Sequence, residues 1–298
     1  SRADGCHLDI LADSRHDTLC REDYQLLKSV GIATVREGLQ WSRIDRGDGG
    51  YDFTRFERMM AIGQEEGVQQ IWDLNHFDYP SDLNPFSQTF VVRFARYAQQ
   101  AVRRIRRYQS GTLYVVPINE ISFWAHMGGA VAAWAPFARD MGYELKQQFV
   151  RAAIAAMDAI WATDLDVRFI HVDPIFVRIA KPPVTPDKQA TEAAFREIKF
   201  QAFDMLGGWL LPDLGGHPKY VDIIGCNYYP YNQEWITTDG AFDKAGHVMM
   251  PLRSRYRVSL ADLLREVYVR YGRPLVLMEV GAWGSLRTDW WRRTMREV

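Results

Sequence analysis

Two patterns of apolar residues alternate along this chain. Short unbroken runs rich in β-branched residues predict strands buried on both faces, and longer stretches with apolar positions three and four apart predict amphipathic helices. The first pattern gives six strands, at residues 32–41, 68–75, 113–120, 167–177, 221–229 and 274–281. The second gives helices at 22–29, 54–66, 88–108, 143–163, 191–206, 259–271 and from 288 to the end. The stretch 88–108 is the clearest, with Phe90, Phe94, Tyr97, Ala101 and Ile105 on one face and arginines opposite. Gly31 and Gly67 stand where helices stop, and Ser259-Leu-Ala-Asp262 reads as a helix start. Residues 1–20 and 233–256 carry neither pattern and read as loops, the second long enough to cover a site.

Strand and helix alternating at this spacing argue a parallel sheet with helical crossovers. With 298 residues, no internal repeat and no linker, the expected fold is a single (β/α)8 barrel domain over residues 1–298, where roughly 250 residues is typical. Six strands fall short of the eight that a barrel needs. The first and last strands are therefore expected to be absent from the chain, leaving the domain incomplete at both ends.

Composition narrows the function classes. Apolar residues make up 47% and charged residues 24%, a balance suited to a globular protein with ample core. A formal net charge of −1 gives no reason to expect a nucleic acid or an anionic membrane as partner. No apolar segment approaches the roughly 20 residues of a membrane helix. Cys6, Cys20 and Cys226 are too few and too scattered for a disulfide framework, which points to the cytoplasm. No glycine-rich phosphate loop follows a strand, so no nucleotide cofactor is expected. His171-Val-Asp173 is the best metal candidate, but two ligands without a third make a metal site unexpected. His7 and His16 read as surface residues.

Two strands carry the candidate chemistry. Leu113-Tyr-Val-Val-Pro-Ile-Asn-Glu120 and Pro274-Leu-Val-Leu-Met-Glu279 are buried runs that each end on a glutamate. In a parallel barrel the C-terminal strand ends are where catalytic groups are mounted, so the pair suggests two-carboxylate chemistry. Each residue also has a plainer reading. Glu120 could be a helix-start carboxylate, His76 a structural histidine, and Arg36 a partner of Glu37 or Asp73. Trp283 could floor a sugar subsite or pack under a loop. Tyr228 and Tyr229 alternate faces, so one should face a pocket and the other the helices.

Five segments in register resemble the family-1 glycoside hydrolases and their clan of retaining (β/α)8 glycosidases. Val35-Arg36 with Trp41-Ser-Arg-Ile44 and Tyr51-Asp-Phe53 resembles the second-strand region, and Leu74-Asn-His-Phe-Asp-Tyr-Pro80 the segment after strand three. Pro117-Ile-Asn-Glu120 resembles the acid/base motif, Asp222-Ile-Ile-Gly-Cys-Asn-Tyr-Tyr229 a later strand, and Leu277-Met-Glu-Val-Gly281 the nucleophile motif. The likeness runs from about residue 20 to residue 284.

The resemblance implies a retaining β-glycosidase, β-glucosidase-like, acting on a small carbohydrate or glycoside without metal or organic cofactor. Glu120 would be the acid/base, Glu279 the nucleophile, Asn119 the partner of the sugar 2-hydroxyl and His76 a glycone contact. Arg36 and Tyr229 would hydrogen-bond the nucleophile. Such a mechanism needs two carboxyls roughly 5–5.5 Å apart, one protonated and one ionised. Arg36 beside Glu279 would favour the ionised form there, and desolvation would favour the protonated form of Glu120. Three departures stand out. Glu120 is followed by Ile121 and not by proline, Glu279 is followed by Val280 and not by Asn, and the family's glycone-reading residues on the first and last strands have no counterpart here. A catalytically silent sugar-binding or partner-docking barrel and a transglycosylase are the alternatives.

Overall fold

The computed structural model describes residues 9–239 and 246–298. His7 and Cys6, and part of the stretch expected to cover a site, lie outside them. The contacts group into two compact units, one of residues 1–171 with 205–222, the other of 172–204 with 223–298.

In the first unit, α1 (Ile10–Ser14) and α2 (His16–Ser29) precede β1 (Thr34–Gly38). There follow α3 (Trp41–Ile44), α4 (Thr54–Glu66), β2 (Gln69–Asp73), α5 (Gln88–Ile105), β3 (Leu113–Val116), α6 (Ile121–Trp124), a π-helical turn (Ala125–Ala130), α7 (Gly142–Trp161) and β4 (Val167–Pro174). β1, β2, β3 and β4 pair in sequence order and all run parallel. The stripe on α5 closes the core as its spacing requires, with Phe90, Phe94, Tyr97, Ala101 and Ile105 all buried. Trp41 lies among them, stacked 5.5 Å from Tyr97. Truncating one such ring to alanine would cost about 3–5 kcal/mol.

In the second unit, β5 (Val177–Ala180) precedes α8 (Pro186–Ile198), α9 (Gln201–Gly207), which runs on into the first unit, and β6 (Ile223–Tyr228). The chain continues through β7 (Gln233–Ile236), β8 (His247–Met249), α10 (Leu260–Tyr271), β9 (Leu275–Val280) and α11 (Arg287–Glu297). β6 and β9 pair in parallel, and β7 joins β5 in parallel and β8 antiparallel.

Every expected strand is present, and four other expectations are corrected. Residues 10–14 and 16–20 are helical and not a loop. Only Cys20 and Tyr24 of α2 are fully buried, a stripe too narrow to stand out among so many charges. His16 is not a surface residue: Nδ1 meets Asp23 Oδ2 at 2.6 Å and Nε2 meets Glu37 Oε1 at 3.1 Å. The helix expected from 191 begins at Pro186, whose ring suits the first helical position, with Thr185 as its cap, and it breaks before Gln201. The loop expected at 233–256 contains β7 and β8. Among the described residues no helix is long and apolar enough to cross a membrane.

Candidate active site

In the first unit the strand ends hold a closed ring of four polar side chains. Arg36, on β1, donates from Nε to Asp73 Oδ1 at 2.8 Å and from Nη2 to Asn119 Oδ1 at 2.6 Å. Asp73, at the end of β2, also faces His76 Nδ1 at 2.8 Å, and Asn119 Nδ2 lies 3.4 Å from His76 Nε2. The directions agree around the ring. A carboxylate can only accept, so His76 carries its proton on Nδ1, and bare Nε2 accepts from the Asn119 amide. Asp73 and Asn119 are almost wholly buried, while the His76 side chain stays 38% exposed. The ring thus locks one amide and one imidazole while leaving the imidazole reachable.

The two partners left open for Arg36 by the sequence are now distinguished. Arg36 pairs with Asp73, whereas Glu37 points to the other face of β1 and takes the Tyr24 hydroxyl at 2.8 Å. Asp73 is a member of the ring that sequence reasoning weighed only as an alternative partner. Its place three residues before His76 is the signal that could have promoted it.

Glu120 follows Asn119 and is buried, 7% exposed. It occupies the start of α6, and its carbonyl accepts from Trp124 N at 2.9 Å, but its side chain makes no capping bond. Its backbone is left-handed, at φ 45° and ψ 58°. For a residue with a Cβ that conformation costs roughly 1–3 kcal/mol, and such strain gathers at functional sites.

In the second unit, Glu279 sits on β9 opposite Asn227, just past a bulge. Cys226 pairs with Leu277 and Asn227 with Glu279, so Met278 is the extra residue. Tyr229 Oη donates to Glu279 Oε2 at 2.5 Å. Its neighbour Tyr228 is buried, accepts from Gln233 Nε2 at 2.7 Å and packs 4.9 Å from Trp290 of α11. The two tyrosines thus take opposite faces, as strand alternation requires. Gly281 lets the tyrosine in close, since a Cβ there would lie 3.2 Å from Tyr229 Cε1. Trp283 is 63% exposed and stands 5.4 Å from Tyr231, which stacks on Tyr229 at 5.4 Å and 10°. Tyr231 escaped sequence reasoning, since nothing in a loop tyrosine foretells a stack.

No group of three or more His, Cys, Asp or Glu among the described residues could hold a metal ion. His171 is buried, which pushes its pKa down to about 4 and keeps the imidazole neutral.

The family model for glycosyl hydrolase family 1 matches residues 1–212. No curated protein matches the chain. Many solved structures share its fold. An enzyme termed AHE from Alicyclobacillus herbarius aligns with a TM-score of 0.79 at 18% identity, over 95% of this chain and 73% of its own. A β-glycosidase from Pyrococcus horikoshii aligns at 0.76 and 17%, over 95% and 70%. A family 1 β-glucosidase from Thermotoga maritima aligns at 0.75 and 16%, over 95% and 73%. The fold is that of the (β/α)8 glycosidases.

Proposed function

The chain belongs to glycosyl hydrolase family 1, and on that premise we propose that it cleaves a β-linked glycoside with retention of configuration. Glu279 is the nucleophile, and Glu120 is the general acid and then the general base. In the first step a Glu279 oxygen bonds to the anomeric carbon as the bond to the aglycone oxygen breaks, and Glu120 gives that oxygen its proton. In the second step Glu120 takes a proton from water, the water oxygen bonds to the anomeric carbon, and Glu279 leaves as a carboxylate. Asn119 holds the sugar 2-hydroxyl and His76 a glycone hydroxyl, each aimed by the ring through Arg36 and Asp73. Trp283 offers a face for the sugar ring. Both units serve one domain. Buried free thiols at Cys20 and Cys226 suit a cytoplasmic protein.

The hydrogen bond from Tyr229 to Glu279 carries this reading. A hydroxyl donating to one carboxylate oxygen fixes the carboxyl plane and so aims the other oxygen, an orientation that a nucleophile needs. Incubation with an activated 2-fluoro β-glycoside, followed by peptide mass mapping, tests it. The expected result is a covalent label on Glu279, loss of turnover by at least ~10⁴-fold in Glu279→Gly, and recovery as an α-glycosyl azide when azide is added. Hydrolysis with inversion, or a label on any other residue, would overturn the assignment.

A further inference from the structure

The ring of Arg36, Asp73, His76 and Asn119 is not equally tight on all sides. Arg36 meets Asp73 through Nε at 2.8 Å and through Nη2 at 2.7 Å, and it meets Asn119 at 2.6 Å. Asp73 meets His76 Nδ1 at 2.8 Å. Only the contact from Asn119 Nδ2 to His76 Nε2 is long, at 3.4 Å, where a hydrogen bond has lost much of its strength. That loose contact belongs to the member left open to solvent. The His76 side chain is 38% exposed, against 2% for Asp73 and 13% for Arg36. A ligand can displace the contact with little loss, because Asn119 keeps its bond from Arg36.

The surrounding chain holds the imidazole in place. Asp78 N donates to Asn75 Oδ1 at 3.1 Å, closing the turn that carries His76. Asn119 N donates to Asn75 O at 2.9 Å, which sets the amide beside that turn. The Phe77 ring crosses the imidazole at 4.8 Å and 71°, so turning the imidazole over would disturb a packed face as well as break a hydrogen bond. Asp73 is buried and acts only through the groups it holds. A carboxylate accepts and never donates, so its place beside Nδ1 keeps the proton there and leaves Nε2 bare. An amide would not serve. It would either donate to Nδ1, sending the proton to Nε2 against the Asn119 amide, or turn its own N–H groups against Arg36.

We propose that Asp73 is a specificity-determining residue: by keeping the proton on Nδ1 it makes His76 a hydrogen-bond acceptor only, toward the sugar. The proposal rests on the reading of His76 as the partner of a glycone hydroxyl. A bare Nε2 takes only a proton that the sugar supplies, so the facing position must carry a free hydroxyl. A deoxy, fluoro or etherified sugar has no proton to give there, and the nitrogen it covers is left unpaired. Asp73 touches no substrate in this scheme. It is a positioning residue that sets which sugars His76 accepts.

Ring-nitrogen NMR of histidine-labelled protein tells a protonated nitrogen from a bare one, with His76 assigned by its loss in His76→Ala. The wild type should carry the His76 proton on Nδ1, and Asp73→Asn should move it to Nε2. Because Asp73→Asn alone sets that new N–H against the Asn119 amide, it is paired with the double variant Asp73→Asn, Asn119→Asp. There every donor around the ring faces an acceptor again, in the opposite sense. Melting should rise by at least about 2 °C over Asp73→Asn, with the proton still on Nε2. Binding is read with phenyl 1-thio-β-glucoside and β-galactoside, which are not cleaved, and with their monodeoxy and monodeoxyfluoro forms. The hydroxyl facing His76 is the one whose removal costs the wild type about fivefold in affinity and costs His76→Ala nothing. At that position the wild type should bind the fluoro form no better than the deoxy form. The double variant, whose Nε2–H can donate to fluorine, should bind the fluoro form about twofold tighter than the deoxy form. A wild-type proton on Nε2, a proton that stays on Nδ1 in a folded variant, a fluoro form held as tightly as its parent, or no hydroxyl that answers to His76 each overturns the proposal. Labelling of Glu279 by the 2-fluoro glycoside is scored on the same wild-type preparation. A label without acceptor-only recognition sinks the role of Asp73 alone, whereas acceptor-only recognition without a label sinks the glycosidase mechanism.

Discussion

The two units mount their candidate groups in different ways. In the first, a carboxylate, an amide, a guanidinium and an imidazole close on one another at the ends of buried parallel strands. In the second, the Tyr229 hydroxyl reaches a Glu279 oxygen on a strand whose Val276 is 38% exposed, with Trp283 standing mostly in solvent. Removing a charged member of a buried polar ring leaves its counter-charge poorly compensated where water cannot easily replace it. A half-exposed pair has water as its fallback. The first arrangement should therefore govern stability as much as chemistry, and the second should govern chemistry almost alone.

Asp73→Ala breaks the comparison hardest. It strips Arg36 of a buried counter-charge and His76 of its acceptor, and the folded state should lose about 3–5 kcal/mol in urea unfolding together with all measurable turnover. Tyr229→Phe should act the other way round. Stability should fall by no more than about 1 kcal/mol, while kcat/KM drops by roughly 10–100-fold as Glu279 loses the Tyr229 hydroxyl. Equal destabilisation by the two variants would erase the distinction.

A smaller effect concerns the helix-facing side of β1. Hydrogen bonds to Cys20 and Glu37, opposed by burial and aided by Asp23, push the His16 pKa up to about 11. A raised folded-state value means that the stabilisation is complete below the unfolded value near 6.5 and fades as pH rises toward 11. Melting curves of wild type and His16→Gln should therefore lie furthest apart near pH 6 and converge only as pH approaches 11. A gap of constant width would show that His16 acts by packing alone.

Legibility followed the same divide. Leu113–Val116 and the α5 stripe announce themselves because burial on two faces, or on one broad face, leaves a periodic trace. Arg36, His76 and Asn119 were nameable because each falls in a segment that resembles a family motif, and the structure joins them in one ring. Asp73 was harder, since a carboxylate closing a strand looks the same whether it faces an arginine or solvent. The bulge at Met278 left no trace, because a register shift depends on the partner strand and not on local composition. The start of α2 was hidden by chemistry: His16 is held by carboxylates and a thiol, so the helix is anchored by polar contacts that apolar periodicity cannot detect.

The left-handed backbone of Glu120 also has a genetic consequence. Glycine adopts that conformation without penalty, and every glutamate codon lies a single base change from a glycine codon. Glu120→Gly should therefore relieve the local strain and remove the proposed proton donor in one mutational step. Selection for robustness and selection for turnover then pull on the same codon in opposite directions, and glutamate persists there only while turnover matters more.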